Sequence, residues 1–240
     1  MIRIGTAGWT IPARFRQLFP ELGSGLERYA ARFKSAEINS TFHRSHKPQT
    51  YARWAAAVPD DFRFAVKLPK EITHKRRLVD CADLLDRFLE EVSLLGAKLG
   101  PLLIQLPPSL AFDEAIAGAF LHLLRARFAG ALACEPRHPT WFETKADRLL
   151  SIYTVARVAA DPARVPEAAL PAGSGDLVYF RLHGSPQMYR SGYESPFLTD
   201  LAHRLNGTRA ADVWCIFDNT ASGAALGDAL AVQDLLTTPP

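Results

Sequence analysis

The stretch VYFRLH at residues 178–183 alternates between apolar side chains and side chains with polar groups. Successive side chains of a β-strand point to opposite faces, so Tyr179, Arg181 and His183 share one face. In a parallel barrel, one face of each strand meets the surrounding helices and the other fills the lumen. The polar face therefore predicts a barrel strand whose last residues line the mouth of the lumen.

Seven further short apolar runs lie along the chain, and helix-like segments separate them. Most of the eight runs lead into a polar residue; the last positions are Thr6, Asn39, Lys67, Gln105, Glu135, Asp161, His183 and Asp218. This alternation is typical of a parallel α/β fold. Eight units without a linker predict one closed parallel (β/α)8 TIM-type barrel, a single domain over residues 1–240. The sixth unit deviates, because its Pro-rich segment 161–176 leaves room for only a turn of helix.

Polar side chains also face the predicted lumen in the other strands. By the same alternation they are Glu37, Asn39, Lys67, Gln105, Glu135 and Asp161. Catalytic residues of such barrels lie at the C-terminal ends of the strands. Because buried charges are costly unless they pair or bind a ligand, we expect a site of mixed charge at this end. The alternative is an internal salt-bridge network around water.

Composition excludes several classes of protein. The 240 residues are 48% hydrophobic and 22% charged, with a net charge of +3, which is too small to indicate nucleic acid. No apolar run approaches the ~18 residues of a membrane span, and the N-terminus leads directly into a strand, so we expect a cytoplasmic protein with no membrane partner. Neither a GxGxxG nor a P-loop motif occurs, and no cofactor is expected. The isolated cysteines are predicted to be reduced and buried: Cys81, Cys134 and Cys215.

A series of motifs, in chain order, resembles those of the YecE-like family, a domain of unknown function described as related to sugar isomerases. They are GTAGW (5–9), EINSTFH (37–43), FAVKLPKEITH (64–74), GPLLIQLPPS (100–109), EPRHPTW (135–141), YFRLHG (179–184) and DN (218–219). The resemblance covers almost the whole chain and implies a TIM-type barrel with a polar pocket. It does not supply a reaction. Asp218 stands where the family often has Asn, which adds an acid to the rim.

The candidate catalytic residues are Lys67, Glu135, His138, Arg181 and His183. Glu135 would be the general base and His183 or His138 the acid, while Lys67 and Arg181 would stabilise developing negative charge. Replacing Glu135 by Gln should then abolish activity and leave the fold intact. Two alternatives stay open. A desolvated Lys67 would suit Schiff-base or proton-transfer chemistry, and Arg137 would simply neutralise Glu135.

Further residues are expected to contact a ligand: Glu37, Asn39, His43, His74, Gln105, Arg137, Asp161, Tyr189, Tyr193, Asp218 and Asn219. Tyr189 and Tyr193 lie in a Gly/Ser/Pro-rich loop of lid length and suit stacking on a sugar or a nucleobase. The loops at 183–185 and 218–220 are expected to hold an anion such as phosphate. Four loops contribute histidines, but no HxH or HxxxH pair occurs, so no metal site is expected.

These features predict an enzyme, isomerase-like or hydrolase-like, that uses acid/base chemistry on a small polar, carbohydrate-like ligand, either phosphorylated or neutral. The first alternative is a nucleic-acid-binding or -processing protein, in which the basic cluster His74–Arg77 follows a phosphate backbone. The second is a barrel that binds a metabolite without turnover. Four basic residues in one loop supply few phosphate contacts, so strong nucleic-acid binding is not expected.

Overall fold

The computed structural model describes residues 1–237 and contains strands and helices in alternation along most of the chain. The strands are β1 (Ile2–Thr6), β2 (Ser35–Ile38), β3 (Arg63–Lys67), β4 (Leu99–Gln105), β5 (Leu132–Glu135), β6 (Val155–Arg157), β7 (Ala159–Asp161), β8 (Ala172–Gly173), β9 (Leu177–Leu182) and β10 (Asp212–Phe217). The α-helices are α1 (Gly25–Ala30), α2 (Pro48–Ala56), α3 (Ala82–Ser93), α4 (Glu114–Arg125), α5 (Thr144–Ile152), α6 (Ser195–Gly207) and α7 (Ala224–Thr237).

The strands other than β8 form a ring of parallel neighbours. One sheet has the order β2-β3-β4-β5-β6-β8 and the other β1-β10-β9-β7. On one side the ring is joined by the chain itself, because β6 and β7 are the two halves of one strand: β6 pairs with β5, and β7 pairs with β9. On the other side, Ala7 bridges to Glu37 and the Gly8 amide donates to the Glu37 carbonyl at 2.8 Å. The predicted TIM-type barrel is confirmed.

Strand register separates the lumen from the outer core, as the alternation predicted. Tyr179 pairs with Trp214 and Arg181 with Ile216, and the rings of Tyr179 and Trp214 stack 6.0 Å apart. Tyr179, Trp214 and Ile216 belong to a small apolar cluster inside the barrel, on the same face as Arg181. The intervening Phe180 packs instead in the larger core between strands and helices. The polar groups at the C-terminal ends of the strands therefore lie above this small apolar cluster.

The sixth unit lacks an α-helix in the described chain. A 3₁₀ turn at Pro166–Ala169 follows β7, and the short β8 returns antiparallel to β6. The predicted shortness of this unit is confirmed, but the inward orientation predicted for Asp161 is wrong. Asp161 pairs with Leu182, which faces the helices, whereas Ala160 pairs with Arg181 and faces the lumen.

The outer layer consists of short helices whose apolar faces pack on the barrel. Within residues 1–237, none of the helices is long and apolar enough to cross a membrane. The burial predicted for the cysteines is confirmed, and all three are unpaired thiols: Cys81, Cys134 and Cys215.

Candidate active site

Arg181 lies at the centre of the polar lumen and is completely buried. Its guanidinium donates to Glu37 twice, at 3.0 Å from Nε to Oε2 and at 2.7 Å from Nη2 to Oε1. Nη1 donates to Glu135 Oε2 at 3.0 Å, and Nη2 lies 3.0 Å from Asp218 Oδ2. Burial opposes the charge, but the three carboxylates outweigh burial and hold the pKa of Arg181 well above its ordinary value. Arg181 thus ties together carboxylates from three strand ends.

His183 lies above Arg181 between two of the same carboxylates. Its Nε2 is 2.9 Å from Glu135 Oε1, and its Nδ1 is 3.1 Å from Asp218 Oδ2. Burial lowers the pKa of His183, but Glu135 and Asp218 together raise it above the ordinary value. Because both ring nitrogens face acceptors, the geometry favours the imidazolium, which donates on both sides.

Glu135 is the most heavily hydrogen-bonded carboxylate of the site. Besides Arg181 and His183, it accepts from Gln105 Nε2 at 3.0 and 3.1 Å and from Arg137 Nε at 3.1 Å. Burial raises the pKa of Glu135, but the three cationic neighbours hold it well below its usual range. A carboxylate so stabilised binds a proton weakly. The contacts therefore disfavour the general-base role predicted for Glu135 and favour a role in holding its neighbours.

Lys67 differs from the other charged groups of the lumen. It is 5% exposed, and its Nζ lies 4.0 Å from the centre of the Phe42 ring. Among the described residues, its side chain has no hydrogen-bond or ion-pair partner. Burial, and next the charge of Arg181, lowers the pKa of Lys67 to about 8. Lys67 is thus a free amine in roughly a tenth of the molecules at pH 7 and in about half of them at pH 8.

The charge balance of the site gives an independent reason for the lowered pKa of Lys67. The carboxylates are Glu37, Glu135 and Asp218, and the cations apart from Lys67 are Arg137, Arg181 and protonated His183. Three negative charges already balance three positive charges. A protonated Lys67 would leave an excess positive charge in a buried volume, which is electrostatically unfavourable.

Arg137 and Tyr189 close the mouth of the site from above. Arg137 Nη2 donates to the Tyr189 hydroxyl at 3.1 Å, and the Tyr189 ring stands edge-on to His183 at 5.4 Å. Tyr189 has φ +67°, a left-handed conformation that a bulky residue adopts rarely and at a cost. Beside Arg137 a cavity of about 20 Å³ reaches Glu135 and His183. It has room for about one water molecule.

The structure brings together most of the residues that the sequence placed at the mouth. Asn39 joins the cluster by donating to Asp218 Oδ1 at 3.3 Å, and Gln105 joins it through Glu135. The predicted residues in this network, or bordering it, are Glu37, Asn39, Lys67, Gln105, Glu135, Arg137, Arg181, His183, Tyr189 and Asp218. Four of the five candidate catalytic residues are therefore neighbours.

His138, the fifth candidate catalytic residue, is not brought to the cluster. Its Nδ1 accepts from the Thr140 amide at 3.3 Å, which caps the turn at Pro139–Phe142, and the same nitrogen lies 3.0 Å from the Thr140 hydroxyl. The Arg137 side chain points into the site and contacts Glu135, whereas the side chain of the next residue, His138, points away toward Thr140. The contacts of His138 are those of a structural cap.

Tyr193 and Asn219 also serve the loops rather than the pocket. The Tyr193 hydroxyl accepts from the Gly184 amide at 2.8 Å and donates to the Asp161 carbonyl at 3.1 Å. Asn219 Nδ2 donates to Asp228 Oδ2 at 2.7 Å. These contacts occupy the Gly184 amide, which the expected anion site between the two loops would have used. That anion site stays a prediction without support from these contacts.

His43 and His74 flank the Phe42 ring edge-on, at 5.0 and 4.9 Å between ring centres. Partial burial, and next the charge of Lys67, lowers the pKa of His74 to about 4, so its imidazole is neutral near pH 7. The four loop histidines do not converge. No group of three metal-binding side chains lies in a suitable arrangement within residues 1–237.

Two residues of the site were not among the predicted ligand contacts. Tyr179 donates from its hydroxyl to Glu37 Oε2 at 2.9 Å, and Phe42 covers Lys67. Alternation already placed Tyr179 on the inward face of its strand, so its role could have been found. Phe42 lies in a turn after β2, where strand alternation gives no orientation.

Comparison with known proteins agrees with the fold. The chain matches the family described as "Protein of unknown function DUF72" over residues 3–240. It is 37% identical over 144 residues to the UPF0759 protein YecE of Escherichia coli strain K12, a match that covers 59% of this chain and 50% of that protein. The matched segment thus spans about half the length of the curated relatives.

Solved structures of low sequence identity share the architecture. A DUF72 family protein (TM1631) from Thermotoga maritima superposes with a TM-score of 0.83 at 24% identity, covering 99% of this chain and 100% of that one. A DUF72 family protein (EF0366) from Enterococcus faecalis gives 0.82 at 22% identity, covering 100% and 97%. A xylose isomerase-like TIM barrel/4-hydroxyphenylpyruvate dioxygenase fusion protein gives 0.50 at 16% identity, covering 88% and 39%. The chain belongs to the DUF72 family of TIM-barrel proteins.

Proposed function

We propose that this protein is an enzyme that transfers protons on a small polar, carbohydrate-like molecule at the C-terminal mouth of the barrel. The fold supports this class of activity, because catalytic groups of TIM barrels lie at this end. The similarity to an isomerase-like barrel concerns the fold alone, so the proposal rests on the site. A cytoplasmic location is part of the same proposal.

The observation that carries the proposal is the contrast between Lys67 and its neighbours. Arg181, Glu135 and His183 are held by hydrogen bonds to one another, whereas the Lys67 amine faces an aromatic ring. A lysine that serves only to neutralise carboxylates would be expected to contact them. A desolvated amine with a pKa of about 8 is instead suited to accept a proton near neutral pH.

The remaining groups have complementary roles in this scheme. Lys67 would take a proton from a carbon or hydroxyl of the substrate, and the imidazolium of His183 would donate one to an oxygen. Arg137, which is 15% exposed, would contact a developing oxyanion from the rim. Glu135 and Arg181 would fix the orientation of these groups. The sugar-like substrate would enter by displacing Tyr189 from its contact with Arg137.

The first experiment is a thermal-shift screen with sugars, sugar phosphates and hydroxy acids, followed by a search for turnover of each ligand found. A ligand at a hundred times its Kd should stabilise the fold by roughly 2.7 kcal/mol. The variant Lys67→Cys should lose turnover, and alkylation with 2-bromoethylamine should restore it, because aminoethyl-cysteine reproduces the amine. Full turnover by untreated Lys67→Cys would overturn the proposal. Ligand binding without any turnover would favour the non-catalytic barrel instead.

The contacts of the cluster His74–Arg77 do not favour the nucleic-acid alternative. Lys75 pairs with Glu71 at 2.8 Å, Arg76 lies 3.9 Å from Asp83, and Arg77 donates to the Ser109 carbonyl at 2.9 Å. Basic groups that bind a phosphate backbone are expected to point freely from one face. These three are directed toward the protein's own acceptors.

A further inference from the structure

A cavity with a volume of about 380 Å³ lies outside the barrel mouth. It is bounded by the segment 41–45 after β2, the segment 69–75 after β3, and one face of α3. Cavities of this size hold small organic ligands. The predicted site residue His43 is on its wall, and the residues that the proposed proton transfer uses are not.

One side of this cavity, which we call the α3 cavity, is apolar. Phe42, Tyr51, Leu84 and Phe88 form it, and the side chains of Tyr51 and Phe88 are buried. Aromatic and aliphatic walls of this kind contact the flat or C–H faces of a ring. Phe42 is shared with the polar site, since its ring also contacts Lys67.

The other side of the α3 cavity carries charges that are only partly compensated. The charged lining residues are Arg44, Lys70, Lys75, Arg87, Glu71 and Glu91, four cations against two carboxylates. Lys75 pairs with Glu71 at 2.8 Å, and Ser45 donates to Glu91 at 2.6 Å. The side chains of the other three cations, Arg44, Lys70 and Arg87, have no hydrogen bond or ion pair with a residue of the described chain. Their donors are available to an anion.

We infer that the α3 cavity binds a small organic anion, with its phosphate or carboxylate group between Arg44, Lys70 and Arg87 and its ring against Phe42 and Phe88. Guanidinium groups bind both kinds of anion through paired hydrogen bonds. The position differs from the anion site expected at residues 183–185 and 218–220. The inference goes beyond the proposed proton transfer, because binding in this cavity does not require chemistry at Lys67.

The test is calorimetric titration of the whole protein with phenyl phosphate, benzoate and inorganic phosphate. Phenyl phosphate should bind more tightly than inorganic phosphate, because only the former also covers the apolar wall. The double variant Arg44→Ala/Arg87→Ala should weaken that binding at least tenfold. The matched control Arg32→Ala/Arg148→Ala removes the same charge from exposed positions elsewhere and should bind like the parent.

The comparison of phenyl phosphate with benzoate decides which anionic group the cavity prefers, and tight binding of either supports the inference. Lys70→Glu offers a second variant at an exposed position and should abolish binding by charge reversal. The inference is overturned if neither aromatic anion binds the parent protein. It is also overturned if the cavity variants bind as tightly as the Arg32/Arg148 control.

Discussion

The Lys67 amine stands 4.0 Å from the centre of the Phe42 ring. A cation–π contact contributes about 0.5–2 kcal/mol, which does not replace the hydration that a buried ammonium loses. Lys67 ends β3 and Phe42 lies in the turn after β2, so the barrel itself creates this contact. Lys67 is therefore a residue whose charged form the fold disfavours. This suggests a cost in stability that a function would explain.

Replacing Lys67 by Met should stabilise the protein at pH 7. The pKa of Lys67 is lowered from 10.5 to about 8, so between these values the unfolded chain binds more protons than the folded one. Stability of the parent then rises as pH increases from about 8 to 10.5, and it is reduced by up to about 3 kcal/mol below that window. Lys67→Met should lack this rise. Urea unfolding at pH 7, 8, 9 and 10 measures it.

The matched control for this experiment is Lys145→Met, which removes an exposed lysine. It should keep the pH dependence of the parent. A Lys67→Met protein that is less stable than the parent at pH 7 would show that the Lys67 ammonium stabilises the site, contrary to the charge balance of its neighbours.

The pH dependence from His183 should have the opposite sign. Burial lowers the pKa of His183, but its carboxylate neighbours, chiefly Glu135, raise it above the ordinary value in the folded state. Protonation of His183 therefore stabilises the fold. This contribution to stability is fully present below pH 6.5, the approximate pKa of histidine in the unfolded chain. It is lost as the pH rises through the higher pKa of His183 in the folded protein. His183→Gln should therefore cost more stability at pH 6 than at pH 9. Equal costs at the two pH values would mean that His183 is neutral in the fold.

Much of this site could be predicted from sequence because alternation is reliable within one continuous strand. Arg181, His183 and Glu135 follow from counting along β9 and β5. The prediction for Asp161 is wrong because it took the last polar residue of the run to face the lumen, although alternation continues unbroken through β6 and β7. A count from Val158, which faces the lumen, would have turned Asp161 outward.

Residues beyond the strand ends could not be placed in this way. His138 and Phe42 lie in turns, where backbone conformation and not a fixed period sets the direction of a side chain. The unpaired state of Lys67 was equally hidden, because it depends on distances to three carboxylates from other strands. Sequence could name the charged groups but not divide them into paired and unpaired ones.

Glu135→Gln should now lower stability as well as any activity, which revises the sequence-based expectation of an intact fold. The carboxylate compensates Arg137, Arg181 and His183 in a buried network. Removing one charge from such a network typically costs about 3–5 kcal/mol. The raised pKa of His183 should also fall, because Glu135 is its main cause. Urea unfolding and NMR titration of the histidines measure the two effects.

An unchanged unfolding midpoint for Glu135→Gln, with activity lost, would return Glu135 to the role of general base. Glu143→Gln is a suitable control, since Glu143 is an exposed carboxylate paired with Lys145. It should change stability by less than about 1 kcal/mol, as exposed ion pairs contribute little.

Arg181→Lys should destabilise the barrel although the charge is kept. The planar guanidinium reaches Glu37 with two nitrogens and Glu135 with the third, and Nη2 also lies 3.0 Å from Asp218. A lysine ammonium is a single point of donation and cannot meet three carboxylates from separate strands at once. The carboxylates left without a cationic partner would remain buried. We therefore expect the free energy of unfolding, measured in urea, to fall by several kcal/mol. Arg148→Lys, at an exposed position on α5, should leave the unfolding midpoint unchanged. If Arg181→Lys matched that control, the carboxylates would be held apart by the strands alone, and Arg181 would not be the group that joins them.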